Sequence, residues 1–132
     1  EEVKEEVKKV TQPAVREVTL DELIEQQEKE NAEKLESIFD DMVELTGGAI
    51  VDIYKNPYAD DWRQIHVVVS DAWYYTPAHE QERFIQNAGD AVKAALYSSG
   101  VVKEGGAVIV TFFDEAGKEI AKGGVMGGYK IH

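Results

Sequence analysis

A histidine beside a carboxylate is the pairing with the widest chemical use, and side by side in sequence it occurs once, at His79-Glu80-Gln81-Glu82. A zinc protease needs H-E-x-x-H, two imidazoles one helical turn apart, and here Arg83 stands at the fifth position. Acidic first turns are ordinary at the positive end of a helix dipole, so a metal site is not expected there. His66 sits within a strand pattern, and Asp71 follows five residues on. Their opposite parity sends them to opposite faces of a regular strand, which denies them a dyad. Ser70 has no G-x-S-x-G around it, and Ser98-Ser99 reads as helix-end material. The glycine pairs at 47–48, 105–106, 123–124 and 127–128 match neither phosphate-cradling motif. Asp60, Asp61, Asp114 and Glu115 lack the spacing of a calcium loop. No catalytic residue, cofactor or metal ligand is assigned.

The aromatic residues are the stronger signal. Tyr54, Tyr58 and Trp62 flank a first hairpin, and Trp73-Tyr74-Tyr75 closes the strand after it. Such rings give large contact area at low entropic cost and are common on binding surfaces, which makes these six the candidate ligand-binding residues. Strand alternation would place Trp73 and Tyr75 on one face and Tyr74 on the other. The competing use is structural, since a bare sheet face needs apolar cover, and it carries the greater weight.

Composition narrows the function classes. The 132 residues hold 14 basic and 26 acidic side chains, a formal net charge of −12, so a phosphate backbone would be repelled and nucleic acid is not an expected partner. With no cysteine there is no disulfide framework and no thiolate. No apolar run reaches the 18 or so residues of a membrane span, and Glu1–Val10 contains no apolar core of a signal peptide. Residues 1–46 carry 15 acids and 6 bases and no glycine; residues 47–132 carry 11 acids, 8 bases, all 11 glycines, both tryptophans and all six tyrosines. A polar, helix-prone segment therefore precedes an aromatic-rich module.

The elements follow. Residues 1–18 are expected to be a charged flexible arm, because Val3, Val7 and Val10 are too few to stabilise a helix and Pro13 interrupts it. Residues 19–132 are expected to form one domain. Thr19-Leu20-Asp21-Glu22 matches a capping box, and a helix at 20–45 ends at Gly47-Gly48. Its second cluster, Leu35, Ile38, Phe39 and Met42, follows helical spacing and should dock on the module. Its first, Leu20, Leu23 and Ile24, lies beyond a polar middle and is the candidate self-association patch. Strands are expected at about 49–55, 63–75, 107–113 and 118–122, with a short edge strand within 125–132. A helix at 77–98 is expected to be capped by Thr76, with a buried stripe of Phe84, Ile85, Ala88, Ala91, Val92, Ala95 and Leu96.

The fold class is α+β: an antiparallel sheet of four to five strands, two helices on one face, in the order α-β-β-α-β-β. That order behind a charged arm is similar to small bacterial accessory domains. Two functional readings stand. The favoured one is a noncatalytic binding or interaction domain, an accessory module of a larger or anchored protein that engages a protein partner or itself. The alternative is a small hydrolase or metal-dependent enzyme with a histidine–carboxylate site drawn from His66, His79 or His132.

Overall fold

The computed structural model describes residues 19–124 and 128–132. The expected arm at 1–18 lies outside them, as do residues 125–127 of the expected edge strand. By internal contacts the described residues divide into two units, the first ending at Glu30 and the second beginning at Asn31. Helix α1 spans Leu20–Leu45. At its start, the Thr19 hydroxyl accepts the Glu22 N–H at 3.1 Å and the Glu22 carboxylate accepts the Thr19 N–H at 3.2 Å, the reciprocal capping box.

The second unit is α+β, with a five-stranded sheet. Its strands are β1 (Ile50–Lys55), β2 (Gln64–Val69), β3 (Ile109–Phe113), β4 (Glu119–Gly123) and β5 (Tyr129–Ile131), in the spatial order β1-β2-β3-β4-β5. The sheet is mixed rather than purely antiparallel: β2 and β3 run parallel, and every other neighbouring pair is antiparallel. The reason is helix α2 (Ala78–Ser99), which joins β2 to β3. A helical crossover returns the chain to the end where β2 began, so the next strand can lie beside it in parallel.

One core unites the elements. Leu35 and Phe39 of α1, Ile85, Val92 and Leu96 of α2, and Ile53, Ile65, Val67, Val69, Val110 and Phe112 of the sheet are all buried in it. Two details of the expected burial change. A register irregularity between Ile50 and Asp52 puts Ile50 and Ile53 inside and leaves Val51 42% exposed, where simple alternation would bury Val51. On α2, Ala91 is exposed and Phe84 only partly buried, while Gly89 is buried. Gly89 is needed there because a Cβ would lie 2.0 Å from the Tyr129 hydroxyl. That hydroxyl is buried with no hydrogen-bond partner among the described residues, and burial first, then the charge of Asp90, pushes its pKa to about 12.

The strand expected at 63–75 ends at Val69, and Asp71–Tyr75 forms a 3-10 helix. Trp73 N–H bonds the Ser70 carbonyl and Thr76 N–H bonds the Trp73 carbonyl. Three residues per turn replace two-residue alternation, so Trp73 turns inward while Tyr74 and Tyr75 both stay exposed. Thr76 does not cap α2. Its hydroxyl donates to the Ala72 carbonyl at 2.8 Å, and Pro77 occupies the cap position without a side-chain bond.

Candidate functional site

The loop between β1 and β2 is held by side chains with turn chemistry. Asn56 accepts the Tyr58 N–H at 3.0 Å and donates its amide to Gln64 at 2.9 Å, while Asp61 accepts the Arg63 N–H at 3.1 Å. With its loop so fixed, Trp62 lies partly buried against Phe39, ring centroids 6.4 Å apart. Between this hairpin and the second half of α1 runs an open groove of about 500 Å³, lined by Phe39, Tyr54, Lys55, Trp62, Glu36 and Asp40, with Ile53 beneath. The Lys55 ammonium stands 5.5 Å from the Trp62 ring centroid, a cation–π contact. Glu36 and Asp40 are one helical turn apart on α1, and neither makes an ion pair among the described residues. Like charges at that spacing cost a few tenths of a kcal/mol.

The other aromatic segment is tied into the fold. Trp73 packs on Phe84 at 6.4 Å and its carbonyl accepts the Gln81 amide at 2.8 Å. The Tyr74 hydroxyl donates to Asp114 at 2.5 Å, and the second Asp114 oxygen accepts the N–H groups of Ala116 and Lys118 at 3.0 and 2.8 Å. The Tyr74 bond, with those backbone donors, holds the Asp114 carboxyl below its ordinary range; the same bond raises Tyr74. Trp73 and Phe84 wall a smaller cleft of about 190 Å³, with Glu80 among its lining residues. Ligand pockets usually measure about 300–1,000 Å³, so only a few atoms would fit. Tyr58 and Tyr75 project into solvent at 95% and 89% exposure. The structure thus brings Tyr54 and Trp62 together in one groove and places Trp73, Tyr74 and Tyr75 elsewhere.

The three histidines have different surroundings, although Glu119 acts on two of them. His66 lies between the rings of Tyr54 and Phe113, at 5.4 and 4.6 Å, and burial lowers its pKa despite the opposing charge of Glu119. His79 is exposed, 3.7 Å from Glu80. His132 hydrogen-bonds Glu119, and both side chains are more than a third exposed. His132 borders a wide, shallow depression of about 620 Å³ together with Lys122 and Lys130. Those two lysines are directly opposite one another across β4 and β5, and both are exposed. Among the described residues no three histidine or carboxylate side chains gather as metal ligands, and no helix is long and apolar enough to cross a membrane.

Glu36, Asp40 and Lys55 were not singled out by sequence reasoning. Their signal was faint: two acids at i, i+4 beside Leu35 and Phe39 put charge on the margin of a docking face. Leu20, Leu23 and Ile24, in the first unit, are 72%, 53% and 48% exposed. No family model, no curated protein and no solved structure matches the chain.

Proposed function

We propose that this chain is a noncatalytic protein-interaction module, an accessory part of a larger or anchored assembly, that binds through the groove between α1 and the β1–β2 hairpin. The observation that carries this reading is the groove's lining: a partly buried Trp beside an exposed Tyr, over an apolar floor with charges at the margin. That is the composition of an interface hot spot, where rings supply contact area and peripheral polar groups set orientation. Histidine chemistry has weaker support, because His66 is packed between rings and the His132–Glu119 pair lies on an open surface.

A random peptide library selected on the immobilised chain tests the reading. Selected peptides should shift the Trp62 indole resonance in a proton–nitrogen spectrum and lose binding on Trp62→Ala. Peptides that bind undiminished to Trp62→Ala, or a selection that yields none, would refute it. Ester or phosphoester turnover abolished by His132→Ala or His66→Ala would favour the enzyme instead. Exposed Leu20, Leu23 and Ile24 support a further contact with a second copy, each side chain gaining ~1.5–3 kcal/mol on full burial. Leu23→Glu should remove that contact in analytical ultracentrifugation.

A further inference from the structure

Among the described residues of the second unit, two charge clusters without ion-pair partners are opposite in sign and lie toward opposite ends of the strand order. Glu36 and Asp40 belong to the groove beside β1, and Lys122 and Lys130 belong to β4 and β5 at the far end of the strand order. Each cluster places like charges together: the acids one helical turn apart, the lysines directly across a strand gap. Either arrangement is unfavourable alone, and none of the four side chains has an ion-pair partner among the described residues. Their spacings also agree. Side chains at i, i+4 on a helix have Cβ atoms about 5–6 Å apart, and directly opposed side chains on antiparallel strands about 4.5–5.5 Å apart.

We propose that this chain associates with copies of itself head to tail, the Lys122–Lys130 face of one copy docking into the Glu36–Asp40 groove of the next. The proposal rests on the groove being a protein-binding surface and names its occupant. Each ammonium meets one carboxylate, and the four-carbon lysine stems lie along Tyr54 and Trp62. The Lys55 ammonium already stands over the Trp62 ring, a lysine–indole contact of the same kind, and it must turn aside to admit the incoming stems. Acid and base lie toward different ends of the strand order, so the contact is heterologous and leaves a free groove and a free lysine face on every pair. Repetition gives a ring if the rotation closes and a filament if it does not. The net charge of −12 opposes assembly as a whole. Charges farther apart than about 8 Å are screened at physiological salt, whereas the contact pairs are not.

Charge exchange tests this, on the Leu23→Glu background so that the helix patch cannot supply the contact. In sedimentation velocity at rising concentration, the otherwise unaltered chain should form species larger than a monomer. Glu36→Lys/Asp40→Lys and Lys122→Glu/Lys130→Glu should each sediment as monomers, and so should the milder Lys122→Gln/Lys130→Gln. An equimolar mixture of the two charge-reversed proteins should associate again, because each now presents the complement of the other. Circular dichroism on every variant confirms that a monomer is folded; these four residues are exposed, and the glutamine pair provides the same loss without reversed charge. A monomeric unaltered chain at millimolar concentration, reversed variants that still associate, or a mixture that stays monomeric would each overturn the proposal. Any of those results alongside library peptides bound at Trp62 leaves the interaction-module reading standing. Absence of groove-binding peptides with intact charge-swap behaviour would instead confine the groove to self-assembly.

Discussion

Two aromatic segments of similar composition meet opposite fates. In Trp73-Tyr74-Tyr75 the indole is buried against Phe84, its carbonyl is bonded by Gln81, and the neighbouring hydroxyl is bonded by Asp114. In the β1–β2 hairpin, Trp62 touches Phe39 on one side and leaves the groove open on the other, with Tyr54 beside it. The first segment uses its rings to fasten the 3-10 helix to α2 and to the β3–β4 turn. The second presents them. Ring type and local density do not separate a structural cluster from a binding one. What separates them is whether the rings and their polar atoms are engaged by other elements, as Tyr74 is by Asp114 forty residues on and Trp73 by Phe84 and Gln81 of α2.

The largest effect expected from that difference is on stability. Trp73→Ala removes a buried indole and should cost ~3–5 kcal/mol, a large share of the ~5–15 kcal/mol total of a small domain. Trp62→Ala should cost nearer ~1 kcal/mol, the centre of the range for point changes. Urea unfolding of both variants measures it. Equal losses would erase the distinction between the two segments.

Tyr129 extends the comparison, because its hydroxyl is buried like a structural one yet has no partner among the described residues. Gly89→Ala would drive a methyl group into that hydroxyl, and overpacking of this kind costs ~1–3 kcal/mol. Tyr129→Phe should be neutral or slightly stabilising, since it removes a buried polar atom that nothing satisfies. Tyr74→Phe should lower the melting temperature, because its hydroxyl is bonded. A stabilised Tyr74→Phe and a destabilised Tyr129→Phe would invert the rule drawn here.

Acid titration sharpens the same point. The folded pKa of Asp114 is depressed from its usual 3.8, so its contribution to stability is present above that pH and lost as the pH falls through the folded value. His66, lowered from 6.5 by burial, contributes fully above 6.5 and loses that contribution as protonation is forced at lower pH. Melting temperature against pH should therefore show a decline starting below 6.5 that His66→Phe removes. A second decline, below 3.8, should be smaller in Tyr74→Phe than in the parent. A Tyr74→Phe profile parallel to the parent through that range would separate Tyr74 from the Asp114 titration.

Much of the architecture was legible because it is local. The capping box at Thr19–Glu22, the stripe through Leu35 and Phe39, and the alternation of Ile65, Val67 and Val69 each depend on residues within a few positions of one another. The parallel pairing of β2 and β3 was not legible, because strand direction across a helical crossover depends on where the helix returns the chain. Beyond Val69 the failure was one of period: Trp73 is carried inward by a turn of three residues, which alternation cannot anticipate. The groove was half legible. Its rings stood out by type, while Glu36 and Asp40 lie some twenty residues away on a surface where acids are commonplace.

The smallest effects concern the two most exposed rings, and they distinguish the segments most directly. Tyr58 and Tyr75 are both almost fully in solvent, so Tyr58→Ser and Tyr75→Ser should each change stability by no more than ~0.5 kcal/mol. Binding should separate what stability does not. Tyr58 sits in the same β1–β2 loop as Trp62, held there by its N–H bond to Asn56, so a partner entering the groove can reach its ring. Tyr75 ends a segment whose other rings are engaged within the fold, and nothing brings it to the groove. For a peptide that shifts the Trp62 indole, Tyr58→Ser should therefore weaken affinity several-fold and Tyr75→Ser should leave it unchanged. An equal loss from both would mean that the partner spans both aromatic segments, and that the division between a presenting hairpin and a fastening one fails at the surface.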